Sequence, residues 1–168
     1  MAGALIVTAE LGQGDFSWIE SLRRANYPPE RNHVPAHLTM FHALPPSSET
    51  ELRARLSRIV CRPPPSTTIA GLMDLGGGVA FRIVSPGLDE IRDELGEHLH
   101  GLLGAQDSGG WRPHITIQNK VPAKHARDLI ERLEAQFRPR SLAISGLGVH
   151  RYLDGPWERI ATYAFRGV

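Results

Sequence analysis

The chain has very little cysteine and no long apolar run, and both absences narrow what it can be. Its 168 residues include a single cysteine, Cys61, which excludes an internal disulfide framework and a cysteine-rich zinc site. A lone thiol fits a reducing cytosol, so we predict a cytoplasmic location. No apolar stretch approaches the ~20 residues that cross a membrane. The opening segment MAGALIVTAELG lacks a basic region and is interpreted as a first strand rather than a signal peptide.

The chain also lacks an excess of charge of either sign. It has 19 Lys and Arg against 18 Asp and Glu, which gives no support for broad, nonspecific nucleic-acid binding, because that needs a strongly basic face. A small phosphorylated ligand or the end of an RNA remains allowed. Eight histidines are present, but there is no HExxH run, and His98 and His100 point in different directions on a predicted helix. We therefore predict no metal and no other cofactor.

The spacing of apolar residues, punctuated by proline and glycine, divides the chain into alternating strands and helices. Strands are predicted over residues 4–10, 36–44, 67–75, 79–84, 114–120, 141–150 and 158–165. Helices are predicted over residues 15–25, from 47 or 48 to about 60, and over 86–103 and 122–137. The order strand, helix, strand pair occurs twice, which predicts an α+β fold. We expect one domain over residues 1–168, built from two pseudo-symmetric lobes.

Two four-residue motifs mark the corresponding places in the two halves. Residues 37–40 read HLTM, and residues 114–117 read HITI. Alternate residues of a strand share one face, so each histidine and its threonine point away from the apolar pair. If each lobe contributes one motif strand, the two lobes bring the two His/Thr pairs to face each other across a cleft.

Such a pair of histidines suits displacement at the phosphorus of a phosphodiester. One group must take a proton from the attacking oxygen, and another must give a proton to the leaving oxygen. Histidine does both near neutral pH, so His37 and His114 are predicted as the catalytic pair, with the choice of base and acid left open. The hydroxyls of Thr39 and Thr116 are predicted to donate to the non-bridging oxygens and stabilise the charge that builds there.

Further contacts are predicted from the same alternation. Phe41 shares the face of the first motif and either stacks on a base or forms part of the groove wall. Gln118 and Lys120 are predicted ligand contacts on the face of the second motif, and Arg112 leans toward the groove. His42 is expected on the opposite face, as a hydrogen-bonded core or interlobe residue.

The paired motifs resemble the duplicated H-x-T-x signature of the two-histidine (2H) phosphoesterase superfamily, which includes the 2'-5' RNA ligase-like proteins and cyclic phosphodiesterases. The resemblance implies two antiparallel sheets that line a central groove, with helices packed outside. It also implies metal-independent chemistry on cyclic phosphates or on 2'-5' linkages of RNA or nucleotides. By the motif match, His37 and His114 are the implied catalytic residues, and Thr39 and Thr116 the implied phosphate binders.

One departure from the family pattern concerns the residues after the second motif. Several RNA-ligase-like members have Ala-Arg where this chain has Gln118 and Asn119, and Lys120 could supply the cation as a point charge instead. The predicted partner is a nucleotide or the phosphate of an RNA terminus. We expect the chain to be a monomer and to have no membrane partner. Two alternatives remain open: a non-catalytic module of the same fold that binds nucleotides or RNA ends, and a metal-dependent hydrolase that uses the many histidines.

Overall fold

The computed structural model describes residues 3–168, which form two four-stranded antiparallel sheets with helices packed outside. The strands are β1 (Leu5–Leu11), β2 (Leu38–Leu44), β3 (Thr68–Asp74), β4 (Val79–Val84), β5 (His114–Gln118), β6 (Arg140–Ser141), β7 (Ile144–Tyr152) and β8 (Trp157–Ala164). The helices are α1 (Gln13–Asn26), α2 (Glu49–Ile59), α3 (Pro86–His98), α4 (Ala105–Ser108) and α5 (Ala123–Glu134). The predicted α+β class with two antiparallel sheets is confirmed.

Most predicted elements are present with ends shifted by a few residues, and two short ones, β6 and α4, were not predicted. The helix predicted over residues 86–103 ends at His98. Gly101 adopts a left-handed φ of +86° soon afterwards, a conformation that turns the chain out of a right-handed helix. The loop that follows this turn leads through α4 to the second motif strand.

The order of strands in the sheets interlocks the two halves of the sequence. The first sheet has the order β2-β1-β7-β8, and the second has the order β5-β4-β3-β6. Each motif strand therefore lies at the edge of its sheet. The pair β3–β4, which follows the first motif, belongs to the sheet of the second motif strand. The pair β7–β8, which follows the second motif, belongs to the sheet of the first.

The apolar faces of both sheets and the inward sides of the helices form the core. Leu52, Leu56 and Ile59 of α2 are 0%, 0% and 4% exposed, and burial of each such side chain stabilises the fold by roughly 1.5–3 kcal/mol. In α3 the Ser85 hydroxyl caps the helix by accepting from the Leu88 N–H. Among the helices of residues 3–168, none has both the length and the apolar character that crossing a membrane requires.

A bulge in β2 changes which of its side chains face the groove. Thr39 pairs with Thr8 while Phe41 pairs with Val7, so β2 advances two residues where β1 advances one, which is the signature of a β-bulge. Phe41 is fully buried as a result, and His42 takes the groove side. The predicted placement of Phe41 on the groove face is therefore wrong, as is the placement of His42 on the opposite face.

Buried Arg23 connects α1 with the second motif strand. Its Nη1 donates to the carbonyl oxygen of Thr116 at 2.8 Å, and its Nε donates to Oδ1 of Asn32 at 2.8 Å. The guanidinium also lies 4.3 Å from the centre of the Tyr27 ring. Burial lowers the pKa of Arg23 from its ordinary value, against the opposing effect of Tyr27 and a nearby glutamate. This side chain therefore links the first helix to the edge of the second sheet.

Candidate functional site

The two His/Thr pairs line one groove between the sheets, as the sequence pattern predicted. The groove has a volume of about 340 Å³ and is lined by His37, Thr39, His114 and Thr116. The other lining residues are His42, Arg92, Gln106, Gly110, Trp111, Arg112 and Trp157. None of these side chains is a carboxylate and two are arginines, so the lining suits an anionic ligand.

Both motif histidines are oriented by the same local hydrogen bond. Nδ1 of His37 lies 2.8 Å from the carbonyl oxygen of Pro35, and Nδ1 of His114 lies 2.8 Å from that of Arg112. A carbonyl oxygen only accepts, so Nδ1 carries the proton in each ring. Nε2 is then the nitrogen that remains for a ligand. In the neutral ring it accepts a proton, and in the protonated ring it donates one.

The environment of His37 favours its neutral form. Its ring lies against Trp157, with ring centres 4.6 Å apart and planes inclined at 57°. Burial lowers the pKa of His37 to about 4; the hydrogen bond to Pro35 acts in the opposite direction, and the positive charges of Arg23 and two nearby imidazoles lower it further. At neutral pH this imidazole is therefore uncharged and able to accept a proton.

The two threonines present free hydroxyls from anchored backbones. The carbonyl oxygen of Thr39 accepts from Nε1 of Trp111 at 3.1 Å, and that of Thr116 accepts from Arg23. Within residues 3–168 neither threonine hydroxyl has a hydrogen-bond partner. Both hydroxyls are thus available to donate to an oxyanion in the groove.

The predicted contacts beyond the motifs do not lie at the groove, apart from Arg112. Gln118 is 5% exposed, and its Oε1 has no hydrogen bond within residues 3–168. Lys120 is exposed beyond the end of β5, with a left-handed φ of +62°. The pairing of β5 with β4 shifts between Thr116 and Gln118, so the alternation that predicted these contacts does not continue. The placement of Gln118 and Lys120 on the groove wall is wrong. Among the residues that follow the two motifs on β2 and β5, His42 alone lines the groove.

Several groove residues were missed by the sequence reasoning. Trp111 stands three positions before His114, and its closeness to the motif was an available signal. Trp157 begins the last strand and reaches His37 from the far end of the chain, so no local pattern could have indicated it. Arg92, on α3, gave no signal because charged residues on a helix are usually solvated.

Arg92 is held in the groove wall by backbone oxygens. Its Nε donates to the carbonyl of Met40 at 3.0 Å, and its Nη2 donates to that of Asp107 at 2.8 Å. The guanidinium lies 4.8 Å from the Phe41 ring centre and 5.4 Å from that of Trp111. Burial lowers the pKa of Arg92, although the charge of Asp107 opposes this. Phe41 thus supports the groove from behind rather than lining it.

The histidines of the chain are not arranged as a metal centre. Over residues 3–168, no three side chains of His, Cys, Asp or Glu are grouped so that they could hold a metal ion. Cys61 is exposed and its thiol lies near Arg166 and the Ser57 carbonyl, remote in sequence from both motifs.

The chain is similar in fold to several solved structures. TT0787 of Thermus thermophilus is 15% identical, with a TM-score of 0.66 and 98% of each chain covered. LigT of E. coli in complex with 3'-AMP is 19% identical, with a TM-score of 0.62, covering 98% of this chain and 99% of LigT. LigT in complex with phosphate is 20% identical, with a TM-score of 0.56 and 97% of each chain covered. No protein of curated function matches the chain in sequence.

The family comparison agrees with the motifs and the fold. The family model of the 2'-5' RNA ligase superfamily matches residues 13–156, a range that includes both motif strands. The structural neighbours share the two-sheet architecture over nearly their full lengths. The chain belongs to the 2'-5' RNA ligase superfamily, within the two-histidine phosphoesterases.

Proposed function

We propose that this protein is a metal-independent phosphoesterase that acts on a 2',3'-cyclic phosphate or a 2'-5' linkage of RNA or a nucleotide. The observation that carries the proposal is the matched orientation of His37 and His114 in one groove, each with Nδ1 bound to a backbone carbonyl and Nε2 available. The nucleotide and phosphate complexes of LigT are consistent with a substrate of this class. A single domain of two lobes would suffice to form this site, since each sheet supplies one motif strand.

The low pKa of His37 supports the following proposed roles in hydrolysis of a cyclic phosphate. His37 is the general base: its Nε2 takes a proton from water as the water oxygen attacks phosphorus. The bond from phosphorus to one ribose oxygen breaks, and His114, protonated on Nε2, gives its proton to that oxygen. The product is a phosphate monoester with a free neighbouring hydroxyl, and the next turnover begins once His37 has lost and His114 has regained a proton.

The remaining groove residues would stabilise the charge on phosphorus. The free hydroxyls of Thr39 and Thr116 can donate to the two non-bridging oxygens. These groups bear on both the bound state and the transition state. Their loss is expected to weaken binding and to slow the reaction together.

The test is the rate of hydrolysis of a 2',3'-cyclic nucleotide with a chelator present throughout. We expect His37→Ala and His114→Ala each to lower kcat/KM by about 10²–10⁴-fold, the usual contribution of a general acid or base. His125→Ala, which removes an exposed histidine of α5, is the matched control and should retain full activity. Product analysis should give one phosphate monoester.

The pH dependence of kcat/KM tests the proposed role of His37 as the base, independently of the alanine variants. We expect kcat/KM to fall on the acid side near pH 4, where His37 becomes protonated and can no longer accept the proton of the attacking water. Full activity in either alanine variant, or activity abolished by the chelator, would overturn the proposal. Tight binding of nucleotide without any product would instead favour a binding module of the same fold.

A further inference from the structure

His42 is a third imidazole in the groove, and the bulge in β2 puts it there. The extra residue between Thr39 and Phe41 moves the next side chain onto the groove side of the strand. The His42 side chain is 35% exposed and lines the same cavity as His37 and His114. The reaction described above uses two imidazoles, so the third is left without a role.

A buried carboxylate fixes the orientation of His42. Asp107 is 2% exposed. Its Oδ1 accepts from the backbone N–H of His42 at 2.8 Å and lies 3.1 Å from Nδ1 of the same residue. Its Oδ2 accepts from the backbone N–H of Ala43 at 2.9 Å. Burial alone would raise the pKa of Asp107, but these hydrogen bonds hold it below its ordinary value. An ionised carboxylate only accepts, so Nδ1 of His42 carries a proton. Its Nε2 has no partner within residues 3–168 and is the nitrogen left for a ligand.

Two arginines line the same groove as His42. Arg92 is fixed by the carbonyls of Met40 and Asp107, and Arg112 is exposed at the rim, without an ion pair within residues 3–168. The carboxylate of Asp107 is fully used by its three N–H donors and does not line the groove. The groove that His42 lines therefore offers donors and positive charge to an anion, with no carboxylate in its lining to repel it.

We infer that His42, held by Asp107 and flanked by Arg92 and Arg112, forms a second phosphate subsite in the groove. The inference rests on the proposed function, because it assigns the reacting phosphate to His37 and His114. In a nucleotide that reacts at its 2' and 3' oxygens, the next phosphate is attached to the 5' oxygen of the same nucleoside. The substrate class is then a ribonucleotide that carries one phosphate on its 5' oxygen in addition to the reacting phosphate on its 2' and 3' oxygens. It is either a 5'-phosphorylated mononucleotide or the last nucleotide of an RNA chain.

The experiment compares substrates that differ only in the second phosphate. They are adenosine 2',3'-cyclic phosphate, its 5'-phosphorylated form, and the dinucleotide ApA with a terminal 2',3'-cyclic phosphate. We expect the wild type to prefer the two substrates with a second phosphate by about tenfold or more in kcat/KM, the equivalent of one charge-assisted hydrogen bond. In His42→Ala the ratio of kcat/KM values should fall toward one. In His98→Ala, an exposed histidine at the end of α3, the ratio should stay unchanged.

The ratio of kcat/KM values separates a subsite from a general effect on catalysis, because a loss of activity that is equal for all three substrates cancels in the ratio. A wild type without the preference, or a His42→Ala variant that keeps it, overturns the inference. If His42→Ala does not fold, Arg112→Gln carries the same expectation, because its side chain is at the rim. Preference for the 5'-phosphorylated mononucleotide alone identifies a 5' phosphate monoester as the ligand of the subsite. Preference for both substrates shows that the subsite also takes the phosphodiester on the 5' oxygen of the last nucleotide of an RNA.

A binding titration keeps the inference testable if no substrate is turned over. Adenosine 3',5'-bisphosphate should then bind the wild type about tenfold tighter than adenosine 3'-phosphate, and this advantage should be lost in His42→Ala. That result would support the subsite while the proposed hydrolysis fails. Equal dissociation constants for the two ligands in the wild type would overturn the subsite.

Discussion

The contact between Trp157 and His37 should control the protonation of the proposed base. The gap between the ordinary pKa of 6.5 and the value of about 4 in the folded chain corresponds to roughly 3 kcal/mol at 1.36 kcal/mol per pH unit. Burial is its largest cause, and the Trp157 ring, 4.6 Å from the imidazole centre, covers one side of His37. Trp157→Ala admits water to that side. We therefore expect the pKa of His37 to rise by at least ~1 unit, or about 1.4 kcal/mol.

Long-range ¹H–¹⁵N NMR of the histidine rings between pH 3.5 and 8 measures this directly. Trp157→Phe is the matched variant, because it keeps an aromatic ring over His37 and should keep the pKa low. The acid limb of kcat/KM should move upward with the NMR titration in Trp157→Ala. Titration of wild-type His37 near 6.5, or a pKa that Trp157→Ala leaves unmoved, would refute the reasoning.

The lowered pKa of His37 also makes the free energy of unfolding depend on pH. The folded-state pKa of His37 lies below the unfolded one, so the unfolded chain binds more protons between about pH 4 and 6.5. The free energy of unfolding therefore falls as the pH falls through this window. His37→Asn cannot titrate and retains a donor for the Pro35 carbonyl. The stability of the wild type relative to this variant should decrease by roughly 3 kcal/mol from pH 7 to pH 4, as measured by urea denaturation; a constant difference would contradict the assignment.

Four further predictions concern the scaffold around the groove, each measured by urea denaturation at neutral pH. Asp107→Ala leaves two backbone N–H groups at the edge of β2 without their acceptor, so we expect a loss of roughly 2–4 kcal/mol. Arg23→Ala removes the link from α1 to β5 and should cost about 2 kcal/mol, whereas the exposed Arg24→Ala should cost little; equal effects would contradict the role given to the link. Gly78→Ala drives a Cβ into the Gln118 carbonyl oxygen of β5 and should cost about 1–3 kcal/mol. Gly96→Ala in α3 meets open space and should stabilise by about 1 kcal/mol.

The parts of the site that depend on local alternation could be predicted from the sequence. Leu38 and Met40 of the first motif, and Ile115 and Ile117 of the second, are all fully buried. Burial of these apolar residues turns the histidine before them and the threonine between them to the other face. The pattern needs only one strand and one apolar face, so no knowledge of the strand's neighbours was required.

The prediction failed one residue beyond the first motif, because a bulge is a property of two strands. Phe41 and His42 exchange faces when β2 gains a residue relative to β1, and neither residue's identity indicates it. An edge strand tolerates such an irregularity, since only one side of its backbone is paired. The consequence is chemical as well as geometric: the bulge replaces an aromatic ring on the groove wall with an imidazole that Asp107 can orient.

The duplicated motif predicts two similar units, but the strand order shows why the groove cannot be divided between them. β7 and β8 follow His114 in sequence, yet they extend the sheet whose edge strand follows His37, and β3 and β4 make the reciprocal exchange. His37 is accordingly covered by Trp157 from β8, and the Thr116 backbone is held by Arg23 from α1. Each half of the sequence thus positions the motif strand of the other. In the proposed reaction two imidazoles meet one phosphorus atom and need a fixed separation. The exchanged strands provide it, because neither sheet is complete without both halves.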